Sequence, residues 1–377
     1  MKILHVTPSF HPAYIYGGTT RSVYDLCRNL ARAGCEVKVL TTDANGPDAV
    51  LDVDTGSEVQ IEDGIIVRYC HRIMDVSVSP KLPRLLPSYL RWADVVHLMA
   101  VYSFPTIPTL LACKVMRKPV VWSPRGMLQR WESTRRPWLK AAWERVCRVA
   151  APKRLTLHVT SEQEAAESRQ RLPGIDSIVI PNGIEIPGAV QHVESNRELR
   201  LVYLGRIHPK KGIENLLEAY KMLNGNLGKT PSLSIAGDGE PRYVDSIRAR
   251  VEQLSPSRSV KMIGPVHGES KESLFRNADV VVVPSHTENF GLVVAEALAH
   301  GVPVIASKGT PWSRVEEIGC GLWIDNDPQS LAAGIERIAA MPLQAMGDRG
   351  REWIGREFSW HLVAEQTMQL YRDVMRA

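Results

Sequence analysis

Short, largely apolar runs recur along this chain, each followed by a polar turn and a longer segment whose apolar residues return every three or four positions. In the first half the runs are Ile3–Val6, Glu36–Thr41, Ile65–Tyr69, Val95–Leu98, Val120–Trp122, Leu155–Val159 and Ile178–Ile180. Such runs predict strands covered on both faces. The segments between them carry helical spacing, as in Val23, Leu26, Cys27, Leu30 and Ala31. Alternation of this kind predicts a parallel sheet with helices on both sides. Between Ile184 and Arg200 the period stops, with Pro187 and Gly188 in the gap, and it restarts at Leu201–Leu204. Leu233–Ala236, Val260–Ile263, Val280–Val283, Val304–Ala306 and Leu322–Ile324 follow as strands. The pattern predicts two facing Rossmann-like α/β domains with a cleft between them. Their expected limits are 1–187, a linker at 188–200, 201–355, and a last segment 356–377. That segment holds an amphipathic helix over Trp360–Met375, with Leu362, Val363, Met368, Leu370, Tyr371 and Val374 as its apolar positions.

The densest stretch is Val280–Ser307. Pro284 ends a bare valine strand, Ser285-His286-Thr287-Glu288-Asn289 make a polar turn, and Phe290-Gly291-Leu292 open a helix. Gly301 and Pro303 close that helix before the next strand. In open parallel sheets ligands lie beyond the carboxyl ends of the strands, where helix N-termini present free amides. The amides near Asn289, Phe290, Gly291 and Leu292 therefore suit an anion, notably a diphosphate. Glu288 and Glu296 bracket this point. Their spacing is a little over two helical turns, so Glu296 lies deeper along the same line of approach. A carboxylate there accepts sugar or ribose hydroxyls. The same pair also fits an acid favoured by the helix dipole plus an exposed mid-helix acid, and residue types alone leave both readings open.

Other strand ends carry chemistry. Tyr203-Leu204-Gly205-Arg206 leads through Lys211-Gly212 into a helix, and two cations at a strand's end would neutralise a diphosphate leaving group. Each taken singly also fits a surface charge. Gly17-Gly18, between the first strand and first helix, permits close backbone approach, although an ordinary flexible turn has the same composition. Ala236-Gly237-Asp238-Gly239 is a tight turn, and Met262-Ile263-Gly264-Pro265 is another strand end. Arg125, in Ser123-Pro124-Arg125-Gly126, stays protonated and so would bind a phosphate or a hydroxyl instead of acting as a base. His5, His11 and His97 read as structural. Asp52-Val53-Asp54 and Asp325-Asn326-Asp327 fit a turn and a helix cap, so no metal site is expected.

Length allows two cores at 377 residues, and the six cysteines are scattered without a C-x-x-C pair, so neither a zinc site nor a disulfide framework is expected. The longest apolar runs fall well short of ~20 residues, and the first residues lead straight into a strand without signal-peptide shape. A cytoplasmic protein with reduced thiols is expected. The net charge of +5 hides an asymmetry. Lys81–Arg154 holds fifteen Lys and Arg against Asp94, Glu132 and Glu144, whereas Met1–Ser79 holds seven against ten acids. Trp92, Trp122, Trp131, Trp138 and Trp143 are interleaved with the basic residues. That mixture suits an anionic membrane surface or a phosphorylated acceptor. It also fits a solvated basic face over buried tryptophans. No nucleic-acid motif accompanies it.

Glu288-Asn289-Phe290-Gly291, four further residues and Glu296, set between a strand ending in Pro-Ser and a helix ending in Gly-Val-Pro-Val-Ile-Ala, resemble the E-x7-E motif of the retaining glycosyltransferases of family 4. The resemblance extends to Gly17-Gly18, the G-R-x5-K-G pattern at Gly205–Gly212 and Pro181-Asn182-Gly183. It implies a GT-B fold, with a central cleft and a C-terminal helix crossing back onto the first domain. It further implies a UDP- or GDP-sugar donor, as substrate and without a cofactor or metal. Arg206, Lys211 and the amides at 289–292 would hold the diphosphate, Glu288 the transferred sugar and Glu296 the ribose. Gly237, Asp238 and Ile263 would border the nucleotide, and Gly17 and Gly18 the donor phosphates and the acceptor. Arg125 stands where family members often carry a histidine, which leaves the first-domain catalytic group open. The expected reaction is retaining transfer of a hexosyl or N-acetylhexosaminyl group to a saccharide or polyprenyl-linked acceptor, in surface polysaccharide or glycolipid synthesis at the inner membrane face. A sugar-nucleotide epimerase or hydrolase would turn over donor without acceptor. A non-catalytic scaffold partner would have lost donor ligands.

Overall fold

The computed structural model describes residues 1–75, 77–129, 137–188, 198–223, 230–254 and 259–377. The chain forms two compact units, Met1–Gly183 with Trp360–Ala377, and Ile184–Ser359.

The strands of the first unit are β1 (Lys2–Val6), β2 (Glu36–Thr42), β3 (Val59–Glu62), β4 (Ile65–Cys70), β5 (Val95–Met99), β6 (Val120–Ser123), β7 (Leu155–Val159) and β8 (Ser177–Val179). They make one sheet in the order β3-β4-β2-β1-β5-β6-β7-β8. All neighbours are parallel except the β3–β4 pair. Helices α1 (Gly18–Arg32), α2 (Lys81–Trp92), α3 (Thr106–Val115), α4 (Pro137–Ala150) and α5 (Glu162–Arg171) connect them. The second unit carries β9 (Glu198–Leu204), β10 (Thr230–Ala236), β11 (Ser259–Gly264), β12 (Val280–Val283), β13 (Val304–Ser307) and β14 (Gly321–Ile324). Their order is β11-β10-β9-β12-β13-β14, parallel throughout. Its helices are α6 (Ile213–Met222), α7 (Pro241–Leu254), α8 (Glu269–Arg276), α9 (Leu292–Ala299), α10 (Arg314–Ile318), α11 (Pro328–Ala339) and α12 (Leu343–Glu357). All four valines of β12 are buried, as expected of a parallel strand covered on both faces.

The last helix, α13 (Trp360–Arg376), belongs to the first unit. Val363, Leu370, Tyr371 and Val374 share a core with Ile3, Val23, Leu26 and Val95. The Tyr371 hydroxyl meets His97 Nδ1 at 2.6 Å, and Arg154 donates to the Met375 carbonyl at 3.1 Å. Trp360 lies so close over Gly183 that a Cβ there would sit 2.3 Å from its ring, which accounts for the glycine of the Pro-Asn-Gly segment.

The sequence pattern did not give β3, and two details at the junction of the units differ from it as well. β9 begins at Glu198, so the end of the 188–200 linker is strand, and residues 189–197 lie outside the described residues, as do Trp131 and Glu132. Ile184 is buried in the second core and its amide donates to the Phe358 carbonyl at 2.8 Å, which ties the segment after Gly183 to the second unit.

Candidate functional site

In the second sheet the chain runs outward from β9 through β10 to β11, then returns to β12 on the other side of β9 and continues outward. At such a reversal no crossover helix covers the gap, and the two strand-end loops are left facing one crevice. Here those loops are Gly205–Gly212, after β9, and Pro284–Gly291, after β12. Backbone contact fixes them against each other. Gly212 has φ 63°, and a Cβ on it would lie 2.1 Å from the Pro284 carbonyl oxygen. The His286 amide donates to the Lys210 carbonyl at 2.9 Å, and the Glu288 amide to Gly309 at 2.8 Å. On the other side a Cβ on Gly237 would meet the Gly205 carbonyl at 1.8 Å, so the turn after β10 lies directly on the Arg206 loop.

This packing brings together Lys211 and Glu288, which are 77 positions apart in sequence. The Lys211 ammonium bonds Glu288 Oε1, and Ser285 Oγ donates to the same oxygen at 2.7 Å. The two side chains are 19% and 13% exposed, so the pair is mostly withdrawn from solvent. Burial pushes the Glu288 carboxyl up. The adjacent Lys211 charge and the bonds from Lys211 and Ser285 outweigh it, so the group titrates below its ordinary value and stays ionised. Arg206 is exposed and ion-paired with no carboxylate among the described residues, while its carbonyl is held by the Tyr203 hydroxyl at 2.9 Å. His208, next to it, is kept neutral by burial and by Arg206, Lys210 and Lys211.

The helix after β12 opens at Leu292 with Gly291 as a left-handed cap and no side-chain cap. Its first amides are thus left for an outside acceptor. Asn289 and Phe290 precede that cap. The Phe290 ring is buried against Trp312 and Phe358, and its carbonyl accepts from Trp312 Nε1 at 2.5 Å. Phe290 therefore anchors the helix start and leaves only its amide to a ligand. Glu296, on α9, is paired with Lys271 of α8 at 2.6 Å. Ile263, 43% exposed, is the last residue but one of β11, and the Gly237 amide donates to the carbonyl of Gly264, which ends it, at 2.8 Å. The Asp238 carboxylate is turned onto the amide of Gly239 at 2.8 Å. A cavity of about 360 Å³ beside the Arg206 loop is lined by Ile207, His208, Glu240, Arg242 and Tyr243 among others. Among the described residues no group of three or more His, Cys, Asp or Glu could hold a metal ion. Asp327 caps α11 through the Ser330 amide, and Asp54 closes a turn on Gly56 and Ser57.

The first unit has its own reversal, between β1 and β5, and a cavity of about 390 Å³ lies there. Thr7, Ser9, Tyr16, Thr20, Tyr102 and Arg125 are among its walls. Gly17, with φ 69°, caps α1 beside Tyr16, and Gly18 is the first helical residue. Arg125 has φ 54°, and its Nη1 donates to Asn182 Oδ1 at 2.5 Å. Glu164 secures the loop by accepting from the Gly126 amide at 2.6 Å.

Two family models match the chain in tandem, Glycosyltransferase Family 4 over residues 16–186 and Glycosyl transferases group 1 over residues 189–353. The chain belongs to the family 4 glycosyltransferases. An uncharacterised glycosyltransferase of Methanocaldococcus jannaschii is 33% identical over 47% of this chain and 46% of its own. The chain spans a little under half the length of the first curated relatives it matches. D-inositol 3-phosphate glycosyltransferase of Jonesia denitrificans is 26% identical over 98% of this chain and 95% of its own. The crystal structure of HepE from Anabaena in complex with UDP superposes with a TM-score of 0.76 at 18% identity, over 99% of this chain and 100% of that one. The family 4 chain thus has the GT-B fold.

Within this family 4 chain, sequence reasoning named both members of the Lys211–Glu288 pair but not their contact. It missed Lys271, which sits in an ordinary amphipathic helix, and the cavity residues His208, Arg242 and Tyr243. A signal for Lys271 was absent. His208 lies inside the Gly205–Gly212 pattern and could have been taken up with it.

Proposed function

We propose that the protein transfers a hexosyl or N-acetylhexosaminyl group, with retention, from a nucleoside-diphosphate sugar to a saccharide or lipid-linked saccharide. The observation that carries this is the Lys211–Glu288 pair at the β9–β12 reversal, with Arg206 beside it. Lys211, Arg206 and the first amides of α9 supply positive charge where a diphosphate would leave. Glu288, kept ionised, accepts hydroxyls of the transferred sugar. Glu296 takes the ribose, and exposed Ile263 gives the base an apolar face. UDP in the Anabaena structure of the same fold supports a uridine donor.

The C1–oxygen bond to the diphosphate breaks with its electron pair going to the leaving group, and an oxocarbenium-like centre forms. Arg206 and Lys211 stabilise the charge that develops. The acceptor hydroxyl attacks from the face the diphosphate left, and its proton passes to a diphosphate oxygen. The cavity in the first unit, lined by Thr7, Ser9, Tyr16 and Thr20, suits a hydroxyl-rich acceptor. Product formation from UDP- and GDP-sugars, with the anomeric configuration read by NMR, tests the reading. Arg206→Ala and Glu288→Ala should each lower kcat/KM by at least about 100-fold. Near-parental rates in both, or an inverted product, would overturn it. UDP release that is indifferent to acceptor would instead identify a hydrolase.

A further inference from the structure

Helix α4 turns Glu144, Cys147 and Ala150 into the first unit and leaves a broad arc exposed. Along that arc Trp138, Ala142, Val146 and Val149 form one stripe at helical spacing. Trp138 is 70% exposed, Val146 48% and Val149 69%. Arg145 and Arg148, also exposed, run beside the stripe. Lys114, near the end of α3, donates to the Val149 carbonyl at 2.6 Å and joins the ends of the two helices. On α3, Leu111 is 47% and Val115 81% exposed. The single acid of α4, Glu144, is buried and bonded by the Tyr102 hydroxyl, so every exposed charge on this helix is positive.

We infer that the exposed face of α4 and the end of α3 dock on an anionic lipid surface. Large apolar side chains left in water cost free energy, and here they alternate with cations only. A bilayer interface takes both, since the tryptophan and valines enter the acyl boundary while the arginines meet phosphate headgroups. A second copy fits poorly, because an isologous contact through this face would set the arginines of one chain against those of the other. The inference is independent of the transfer reading, whose donor groups lie in the other unit. Among the described residues, the other tryptophans of the basic block are engaged elsewhere: Trp122 is fully buried, Trp143 bonds the Val101 carbonyl, and Trp92 packs by Lys38.

Flotation of the full chain with phosphatidylcholine vesicles, with and without phosphatidylglycerol and at low and high salt, tests it. Binding should require the anionic lipid and weaken with salt. Each cation near such a surface contributes about 1 kcal/mol, or about fivefold, so Arg145→Ser with Arg148→Ser should lower partitioning by about 30-fold. Trp138→Ser with Val149→Ser should lower it by at least about tenfold at either salt. Unchanged thermal midpoints confirm folding, and the arginine variant decides alone should the apolar one fail to fold. Equal partitioning of parent and variants, or no preference for anionic lipid, would overturn the inference. So would a lipid-free dimer that Trp138→Ser abolishes.

Discussion

Acid should unfold the first unit, and three histidines set where. His5, His97 and His158 lie on β1, β5 and β7 of its sheet, the His5 and His97 ring centroids 4.9 Å apart and those of His97 and His158 5.5 Å apart. All are buried. Burial, with Arg125 adding to it, lowers His5 and His158 from 6.5 to about 3, and burial holds His97 well below its ordinary value. Unfolded, each imidazole takes a proton near pH 6.5; folded, His5 and His158 refuse it until about pH 3. Between those limits the unfolded chain binds more protons, so stability falls as pH drops, by about 1.4 kcal/mol per pH unit per histidine. Going from pH 7.5 to 5.0 costs about 2 kcal/mol for each of His5 and His158, about 4 kcal/mol together, and His97 acts in the same direction. Against a total of about 5–15 kcal/mol for a domain this is a large fraction.

Thiol labelling reads each unit separately. Cys27, Cys35, Cys70, Cys113 and Cys147 are buried in the first unit and Cys320 in the second. Pulses of dithiodipyridine along a urea series, counted by mass, should show the five-thiol step moving down by at least about 2 M urea at pH 5.0, for a slope of about 2 kcal/mol per M. In His5→Leu, which removes a ring with neither nitrogen bonded, the shift should shrink by about 1 M. A five-thiol midpoint equal at both pH values, or a variant that shifts as far as the parent, would refute the reasoning.

Two further outcomes concern the second unit. In Lys211→Met the cation that lowers the Glu288 carboxyl is gone while burial remains, so the acidic limb of kcat/KM against pH should move to higher pH; an unmoved limb would separate Glu288 from the reaction. Gly237→Ala would place a methyl 1.8 Å from the Gly205 carbonyl at φ 145° and should cost at least about 2–3 kcal/mol, seen as a lower urea midpoint for Cys320 labelling together with weaker UDP binding.

Most strands were legible because a parallel strand covered on both faces must be apolar without alternation, and runs such as Val280–Val283 have no other reading of that length. β3 escaped because Val-Gln-Ile-Glu is an edge strand with only two apolar residues; the two-residue turn Asp63-Gly64 that pairs it antiparallel with β4 was the signal that could have found it. Each of the strands Ile3–Val6, Val95–Leu98 and Leu155–Val159 carries one histidine, but His5 and His97 were read singly and His158 was not singled out. Only strand order makes them neighbours. Of the Trp-rich basic block, Trp122, at 0% exposure, was legible as the end of the apolar strand Val120–Trp122, whereas residue types alone left open whether Trp138, at 70%, lay under the basic face or on it.

The same limit explains the site. Sequence identifies which residues stand at strand ends, and Arg206, Lys211 and Glu288 were singled out that way, Glu296 by its spacing along the helix that follows. What it omits is how those charges are oriented, and here backbone does that work. Gly212 against Pro284, Gly237 against Gly205, and the Trp312 indole on the Phe290 carbonyl hold three loops with no freedom to separate. On the proposed transfer, a lysine and a glutamate paired on strand-end loops would meet a diphosphate and a sugar hydroxyl without first being ordered, and that saved reorganisation would contribute to the rate. Conservative changes at Gly212 or Gly237 should therefore harm the reaction as severely as removal of a charged group, although neither glycine has a side chain with which to touch the substrate.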